Sequence, residues 1–130
     1  MAMIIEKIYI FGCEGLLGSQ VVKSALQAGY YVVGIDILPQ TMQKNSNFEY
    51  NCIDMMNKFK TNEIEDLIDS LLDPMETRAI VNCMLIPNDD PKGYIGFTDS
   101  CSKLFGLDYC LVNSIVKTLT SSGEERPHCK

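Results

Sequence analysis

A glycine-rich turn near the N-terminus constrains the fold of this chain more than any other segment. The turn, Gly12-Cys13-Glu14-Gly15-Leu16-Leu17-Gly18, follows the short apolar run Lys7 to Phe11, which has the composition of a buried parallel strand. After the turn, apolar residues recur at helical spacing up to Gly29, which is expected to stop the helix, and Tyr31 to Asp36 then forms a second apolar run. The order strand, glycine turn, helix and strand, within about 30 residues, predicts a βαβ unit of a parallel sheet.

The three glycines of the turn are spaced as a dinucleotide site requires. Gly12 permits a tight turn, Gly15 removes a side chain where a pyrophosphate approaches the backbone, and Gly18 lets the helix pack closely on the strand. The free N–H groups at the start of the helix, together with its dipole, favour an anion there. The alternative is an ordinary strand-to-helix turn whose glycines match by coincidence.

Two acidic residues bear on the ligand of this turn. Asp36 ends the second strand, 18 residues after Gly18, where a carboxylate accepts hydrogen bonds from ribose hydroxyls and repels a 2′-phosphate. The residues therefore predict NAD rather than NADP, unless Asp36 is only a solvated strand end. Glu14 would repel phosphate and weaken binding if its carboxylate does not point to solvent.

The rest of the chain continues the alternation of strands and helices. We predict strands at Phe48–Ile53 and Ala79–Leu85, helices at 64–72 and 104–119, an irregular segment at 37–47 and a loop at 86–99. Asn62 is the expected N-cap of the first of these helices, and Gly106 a potential break in the second. The simplest architecture is an α/β, Rossmann-like three-layer sandwich with a truncated parallel sheet of strand order 3-2-1-4. It would form one domain over residues 1–120, with a disordered tail at 121–130.

Polar residues at two further strand ends are candidates for the same ligand. Asp54 could bond an adenine amino group while Met55 packs near the ring, although an ordinary loop aspartate fits equally well. Asn82 ends the fourth strand, at the edge where open α/β sheets bind ligands. The alternative for Asn82 is a buried asparagine that bonds neighbouring backbone.

Composition excludes several other classes of protein. The net charge of −6, from 17 acidic and 11 basic residues, argues against nucleic-acid binding. No apolar run approaches the roughly 20 residues that span a bilayer, and the opening apolar stretch carries charges unlike a signal peptide, so we expect a cytoplasmic location. The six cysteines form no Cys-x-x-Cys pair and are expected as reduced thiols, and the single histidine, His128, gives no support for a metal site.

Taken together, these segments resemble the short-chain dehydrogenase/reductase family. The resemblance spans about residues 5–119, and its glycine spacing is similar to that of the extended, epimerase-like branch. The segments that carry it are Ile10-Phe11-Gly12-Cys13-Glu14-Gly15-Leu16-Leu17-Gly18, Gly34-Ile35-Asp36, Ile53-Asp54-Met55, Ile80-Val81-Asn82-Cys83-Met84 and Asp108-Tyr109-Cys110-Leu111-Val112-Asn113.

The resemblance implies a role for each matched position. The turn, from Gly12 through Glu14, Gly15, Leu16 and Leu17 to Gly18, would line the pyrophosphate and nicotinamide side of NAD. Asp36 and Ile37 would bracket the adenosine ribose, and Asp54 and Met55 the adenine. Asn82, Cys83 and Met84 would back the cofactor, and Asn113 matches the helix asparagine of the proton relay.

The family's catalytic Tyr-x-x-x-Lys is absent, because none of the six tyrosines is followed by lysine four positions on. Its catalytic serine also has no counterpart, so the chain resembles the cofactor-binding half of such an oxidoreductase and is expected to be inactive alone. One alternative is a non-enzymatic module that senses NAD, or that docks on a partner or a second copy through helix 104–119 and the open edge of strand four. Another is a degenerate reading frame without a selected activity. Neither the residues nor the resemblance identifies a substrate.

Overall fold

The computed structural model describes residues 5–40, 45–84 and 94–121, with side chains in the last range described for 103–120. The elements are β1 (Lys7–Phe11), α1 (Leu16–Gln27), β2 (Tyr31–Asp36), β3 (Phe48–Cys52), α2 (Met55–Lys60), α3 (Ile64–Leu71), β4 (Thr77–Asn82) and α4 (Tyr94–Ser121). The chain divides into two compact units. The first comprises Met1–Asp54 and Met75–Met84, and the second Met55–Pro74 and Leu85–Lys130.

The first unit is built on a four-stranded parallel sheet. Its strand order is β3-β2-β1-β4, which confirms the predicted order. Ile10 of β1 pairs with Gly34 of β2 on one side and with Val81 of β4 on the other. In β1 and β2, side chains that point to opposite faces of the sheet are buried alike, as expected for interior strands of a parallel sheet: Tyr9, Ile10, Phe11, Val32, Val33 and Ile35.

Helix α1 packs on this sheet through small and branched side chains. Val22 and Ala25 are buried together with Ile10, Val32 and Phe48 in one core cluster. The helix ends as predicted at Gly29, which has φ +92° and donates its N–H to Leu26 O at 3.0 Å. The predicted βαβ unit is therefore confirmed.

The two outer strands differ slightly from their predicted bounds. β3 ends one residue early, at Cys52. β4 begins two residues before the predicted start because Thr77 pairs with Lys7, whose ammonium also lies 3.1 Å from the Glu76 carboxylate. β4 ends at Asn82 rather than at Leu85, and Leu85 lies outside the described residues.

A short helix that periodicity did not predict opens the second unit. Helix α2, Met55–Lys60, has only six residues and so too few turns to show an apolar stripe. The assignment of Asn62 as the N-cap of α3 was wrong. Asn62 adopts the left-handed φ of +62° and donates its N–H to Phe59 O at 3.2 Å, so it terminates α2, and Glu63 is the N-cap of α3.

Helix α4 is longer than predicted, because residues 94–99, expected as part of a loop, are helical. Gly106 does not interrupt the helix. A Cβ at Gly106 would lie 3.0 Å from Cζ of Phe59, so this glycine permits close packing of α2 on α4. On the side of α3, Lys117 Nζ lies 2.5 Å from Glu65 Oε2. Residues 86–93 of the expected loop and 122–130 of the expected tail lie outside the described residues, and the single domain over 1–120 stays a prediction.

Candidate functional site

Gly12 begins the turn between β1 and α1, and two constraints require glycine there. Its φ is +83°, a conformation that L side chains rarely adopt. A Cβ at this position would also lie 2.7 Å from the carbonyl carbon and oxygen of Cys83. The Gly12 N–H donates to Ile35 O at 2.7 Å, so the turn is fixed between the ends of β2 and β4.

Gly18 permits the close approach of α1 to the turn. A Cβ on Gly18 would lie 2.0 Å from Gly12 O and 2.8 Å from Gly12 C. Both atoms belong to the backbone and have little freedom to move. Close packing at Gly18 is therefore confirmed, although the contact is with the turn that follows β1 rather than with the strand itself.

Gly15 differs from the other two glycines because the fold does not require it. It is the N-cap of α1 with φ −75° and ψ 174°, which any residue adopts. A Cβ there would meet only Gly12 O, at the ordinary contact distance of 3.5 Å. No side chain caps α1, so the first-turn N–H groups, which have no intrahelical acceptor, are left to other acceptors.

The Asp36 carboxylate joins the glycine turn to the end of β2. Its Oδ2 accepts the Glu14 N–H at 2.9 Å. Its Oδ1 accepts the N–H groups of Ile37 at 2.6 Å and Leu38 at 3.3 Å. A carboxylate has about four acceptor sites, so these three bonds leave capacity for a further donor.

Glu14 lies beside this carboxylate and is half-buried rather than turned fully to solvent. Its Oε2 atom is buried within the turn. Both carboxylates act on the thiol of Cys13, whose pKa is raised to about 12 by burial, then by the negative charges of Asp36 and Glu14. Cys13 is accordingly a protonated packing group, and its Sγ lies where a Cβ on Gly34 would come within 2.6 Å.

Residues at the end of β3 hold the turn that follows Asp36, and we did not predict them from the sequence. The Tyr50 hydroxyl donates to Asp36 O at 3.2 Å and to Leu38 O. The Cys52 thiol donates to Ile37 O at 3.5 Å, and the N–H of Ile53 donates to Asp36 O at 2.8 Å. The only sequence signal for these contacts was that an aromatic residue, Tyr50, lies near the carboxyl end of β3.

At the end of β4, Asn82 closes a local turn. Its Oδ1 accepts the Met84 N–H at 3.0 Å, so the side chain bonds neighbouring backbone as the alternative expected, although it is exposed rather than buried. Cys83 donates its N–H to Phe11 O at 2.7 Å, and partial burial raises the pKa of its thiol. Asn82 thus ends β4, and Cys83 follows it, at the same sheet edge as Gly12.

The other candidate residues divide between the two units. In the first unit, Leu16, Leu17 and Ile37 expose 90%, 66% and 56% of their surface, and Asp54 is also exposed. In the second unit, Met55 is buried at the start of α2 and Asn113 is exposed on α4. Within the described ranges, no group of three His, Cys, Asp or Glu residues could hold a metal, and no helix could cross a membrane.

Comparison with known proteins gives structural matches without sequence matches. No family model matches the chain, and no curated protein shows significant similarity. A short-chain dehydrogenase from Leptospira borgpetersenii with bound NAD+ superposes with a TM-score of 0.70 at 20% identity, over 93% of this chain and 48% of that one. The Bordetella bronchiseptica enzyme WbmH in complex with NAD+ superposes with a TM-score of 0.65 at 19% identity, over 88% of this chain and 36% of that one. A UDP-glucose 4-epimerase from Thermotoga maritima with UDP-glucose superposes with a TM-score of 0.64 at 15% identity, over 86% of this chain and 34% of that one.

These matches confirm the resemblance to short-chain dehydrogenases and epimerases at the level of the fold. The chain has a partial version of that fold, because it spans less than half the length of each of these three solved chains. The α/β architecture with its parallel sheet of order 3-2-1-4 is the part that is shared.

Proposed function

We propose that the first unit binds NAD at the turn between β1 and α1. Gly15 carries this proposal, because the packing of the chain gives no reason for a glycine at that position. A pyrophosphate gives one, since it must approach the uncapped N-terminus of α1 without meeting a side chain. The NAD+ named for two of the solved structures of this fold supports the same ligand.

Asp36 makes NAD a better candidate than NADP. Its carboxylate keeps acceptor capacity after its three backbone hydrogen bonds, and a ribose diol supplies the donors that would use it. A 2′-phosphate would instead meet the negative charges of Asp36 and Glu14. The sequence has no Lys or Arg from Ile8 to Val22 or from Ser24 to Gln43 to balance that repulsion.

The remaining contacts of the cofactor follow from the matched positions. We propose the exposed side chains of Leu16 and Leu17 for the pyrophosphate and nicotinamide side, and Ile37 for the ribose. Asp54 and Met55 are proposed for the adenine. The segment Asn82, Cys83 and Met84 is proposed to back the cofactor, which is supported by its position at the carboxyl end of β4.

The chemistry proposed for the whole protein is that of an oxidoreductase or an epimerase relative. Bound NAD would accept or return a hydride. The 130 residues of the chain would bind and orient it without turnover by themselves, because they include no Tyr-x-x-x-Lys to hold and move the proton. Asn113 stays a proposed member of a proton relay. The substrate would be recognised by groups that these residues do not supply.

A titration of the chain with NADH, followed by cofactor fluorescence, tests the proposal. The chain contains no tryptophan, so the signal has little protein background. We expect saturable enhancement for the wild type and at least a tenfold weaker response for Gly15→Ala. Gln27→Ala is the control, since it changes an exposed side chain at the opposite end of α1, where the backbone is helical, and should bind as the wild type does. No saturation at millimolar NADH, or equal binding by Gly15→Ala, would contradict the proposal.

A second candidate function is assembly through α4. Four large apolar side chains form an exposed row on this helix, which we name the α4 stripe, with 53–74% of their surface exposed: Phe105, Tyr109, Val112 and Val116. Their spacing of four, three and four residues places them on one helix face. Such a face is typical of contact with another protein surface, so we propose a homo-oligomer or a partner subunit. The unpaired edge of β4 in the described part of the chain is a further candidate contact.

Sedimentation equilibrium tests assembly by the chain itself. Val112→Glu should lower the average mass to that of a monomer if the α4 stripe mediates association. Lys103→Glu, on the same helix outside the stripe, is the control. A wild-type chain that sediments as a monomer over the whole concentration range would limit the proposal to a different partner protein. We also keep the cytoplasmic location as a proposal, which fractionation of expressing cells tests.

A further inference from the structure

The Tyr50 hydroxyl contacts the backbone that follows Asp36, although Tyr50 lies on a different strand. Tyr50 of β3 pairs with Gly34 of β2, and its half-buried ring packs against the core cluster. The hydroxyl reaches past the end of β2 and donates to Asp36 O and Leu38 O. The ring thus belongs to the core, whereas the hydroxyl belongs to the turn at 36–38.

This turn is held from both sides. On one side, Asp36 Oδ1 accepts the N–H groups of Ile37 and Leu38. On the other side, carbonyls of the same three residues accept from the Tyr50 hydroxyl and from the Cys52 thiol. The Leu38 N–H bond to Oδ1, at 3.3 Å, is longer than that of Ile37, and the contact of the Tyr50 hydroxyl with Leu38 O adds a second restraint at that end of the turn.

The hydroxyl stays a donor at ordinary pH. Burial raises the pKa of Tyr50, and the negative charges of the Asp36 and Glu14 carboxylates raise it further. The carbonyl oxygens therefore face a protonated phenol. The orientation of the Asp36 carboxylate then depends on three backbone N–H groups, two of which lie in the turn that Tyr50 restrains.

We propose that Tyr50 is a positioning residue for nucleotide binding, whose hydroxyl holds the 36–38 turn so that the Asp36 carboxylate faces the ribose diol. This inference rests on the proposed function, because it names a residue that prepares the same site. If the inference is correct, removing the Tyr50 hydroxyl should weaken the binding of ligands that carry ribose hydroxyls. The binding of ligands that lack these hydroxyls should be unaffected.

The experiment compares two small probes on the full chain by ¹H–¹⁵N correlation spectra. AMP carries the 2′- and 3′-hydroxyls, and 2′,3′-dideoxyadenosine 5′-monophosphate lacks both. We expect Tyr50→Phe to bind AMP about fivefold more weakly, the effect of one hydrogen bond, and to bind the dideoxy compound as the wild type does. The amide signals of Leu38 and Glu14 should shift in the free variant.

Two further variants separate positioning from general packing. Tyr31→Phe is the matched control, because Tyr31 lies at the opposite end of β2 and its ring keeps its contact with Lys7. In an Asp36→Asn background, Tyr50→Phe should have little additional effect on AMP, since the two residues act as one unit.

Equal weakening of both probes, or no weakening of AMP, would overturn the role of Tyr50 while leaving the proposed function intact. A wild-type chain that binds neither probe nor NADH would overturn the proposed function and the positioning role together.

Discussion

Replacing Gly18 with alanine should destabilise the first unit strongly, and the cost follows from the contact of α1 with the turn. The new Cβ would lie 2.0 Å from Gly12 O, whereas real Cβ atoms essentially never come within 3.0 Å of a neighbour, so α1 must move away by about 1 Å. That movement would loosen the packing of Val22 and Ala25 on the sheet. Overpacking of this kind costs about 3 kcal/mol.

Urea denaturation followed by far-ultraviolet circular dichroism measures this loss. In thermal unfolding followed by the same signal, a loss of about 3 kcal/mol corresponds to a fall of about 10 °C in Tm for a chain of this size. Gly15→Ala is the internal comparison, because its Cβ would meet one atom at 3.5 Å. We expect Gly15→Ala to stay within about 1 kcal/mol of the wild type, since lost N-cap preference and reduced unfolded-state entropy act in opposite directions.

Gly18→Ala should lose stability, whereas Gly15→Ala should lose NADH binding and keep stability. Equal stability of the two variants would refute the assignment of Gly18 to packing. Strong unfolding of Gly15→Ala would refute the claim that only a ligand requires glycine at that position.

Three other results are expected. Asn62→Ala should cost about 1 kcal/mol in urea denaturation and Asn62→Gly should be close to neutral, because φ is +62° at this position; equal losses would contradict the left-handed assignment. Because the pKa of Cys13 is raised from 9.0 to about 12 in the folded chain, its contribution to stability is present below pH 9 and is lost as the pH rises from 9 towards 12. The urea midpoint of Cys13→Ala should therefore fall less steeply between pH 8 and 10.5 than that of the wild type, and parallel pH profiles would exclude this role. With a thiol reagent at pH 8, exposed Cys52 should react in the folded chain and buried Cys13 only after unfolding, which mass spectrometry of the labelled peptides can check.

The sequence predicted the parts of the fold that depend on local pattern. Strands β1 and β2, helix α1 and its end at Gly29 all carry apolar periodicity or a glycine with one clear structural role. The turn role of Gly12 and the packing role of Gly18 were also predicted correctly. At both positions, the close approach of another backbone segment excludes a side chain. The strand order followed from the alternation of strands and helices, which implies a parallel sheet with right-handed crossovers.

Other features depend on contacts that have no sequence pattern. Helix α2 is too short for periodicity, and its presence moved the true N-cap from Asn62 to Glu63. The Tyr50 hydroxyl contacts main-chain carbonyls. Because every residue has the same carbonyl, the sequence does not indicate which residues this hydroxyl contacts. Gly106 was a potential break in α4, but the aromatic ring of Phe59 packs against it and the helix continues.

The position of Gly12 has a consequence for the order in which the chain folds. Its backbone is in contact with the main chain of Cys83, which lies 71 residues later in the sequence. Contacts of such high sequence separation carry a loop-closure cost that must be met before they stabilise anything, so they form late. A nascent chain that has emerged only as far as β3 therefore contains every glycine of the turn. The contact of Gly12 with the main chain of Cys83 is still missing, because it forms only when β4 pairs with β1. Binding competence should appear in the last folding step of the first unit.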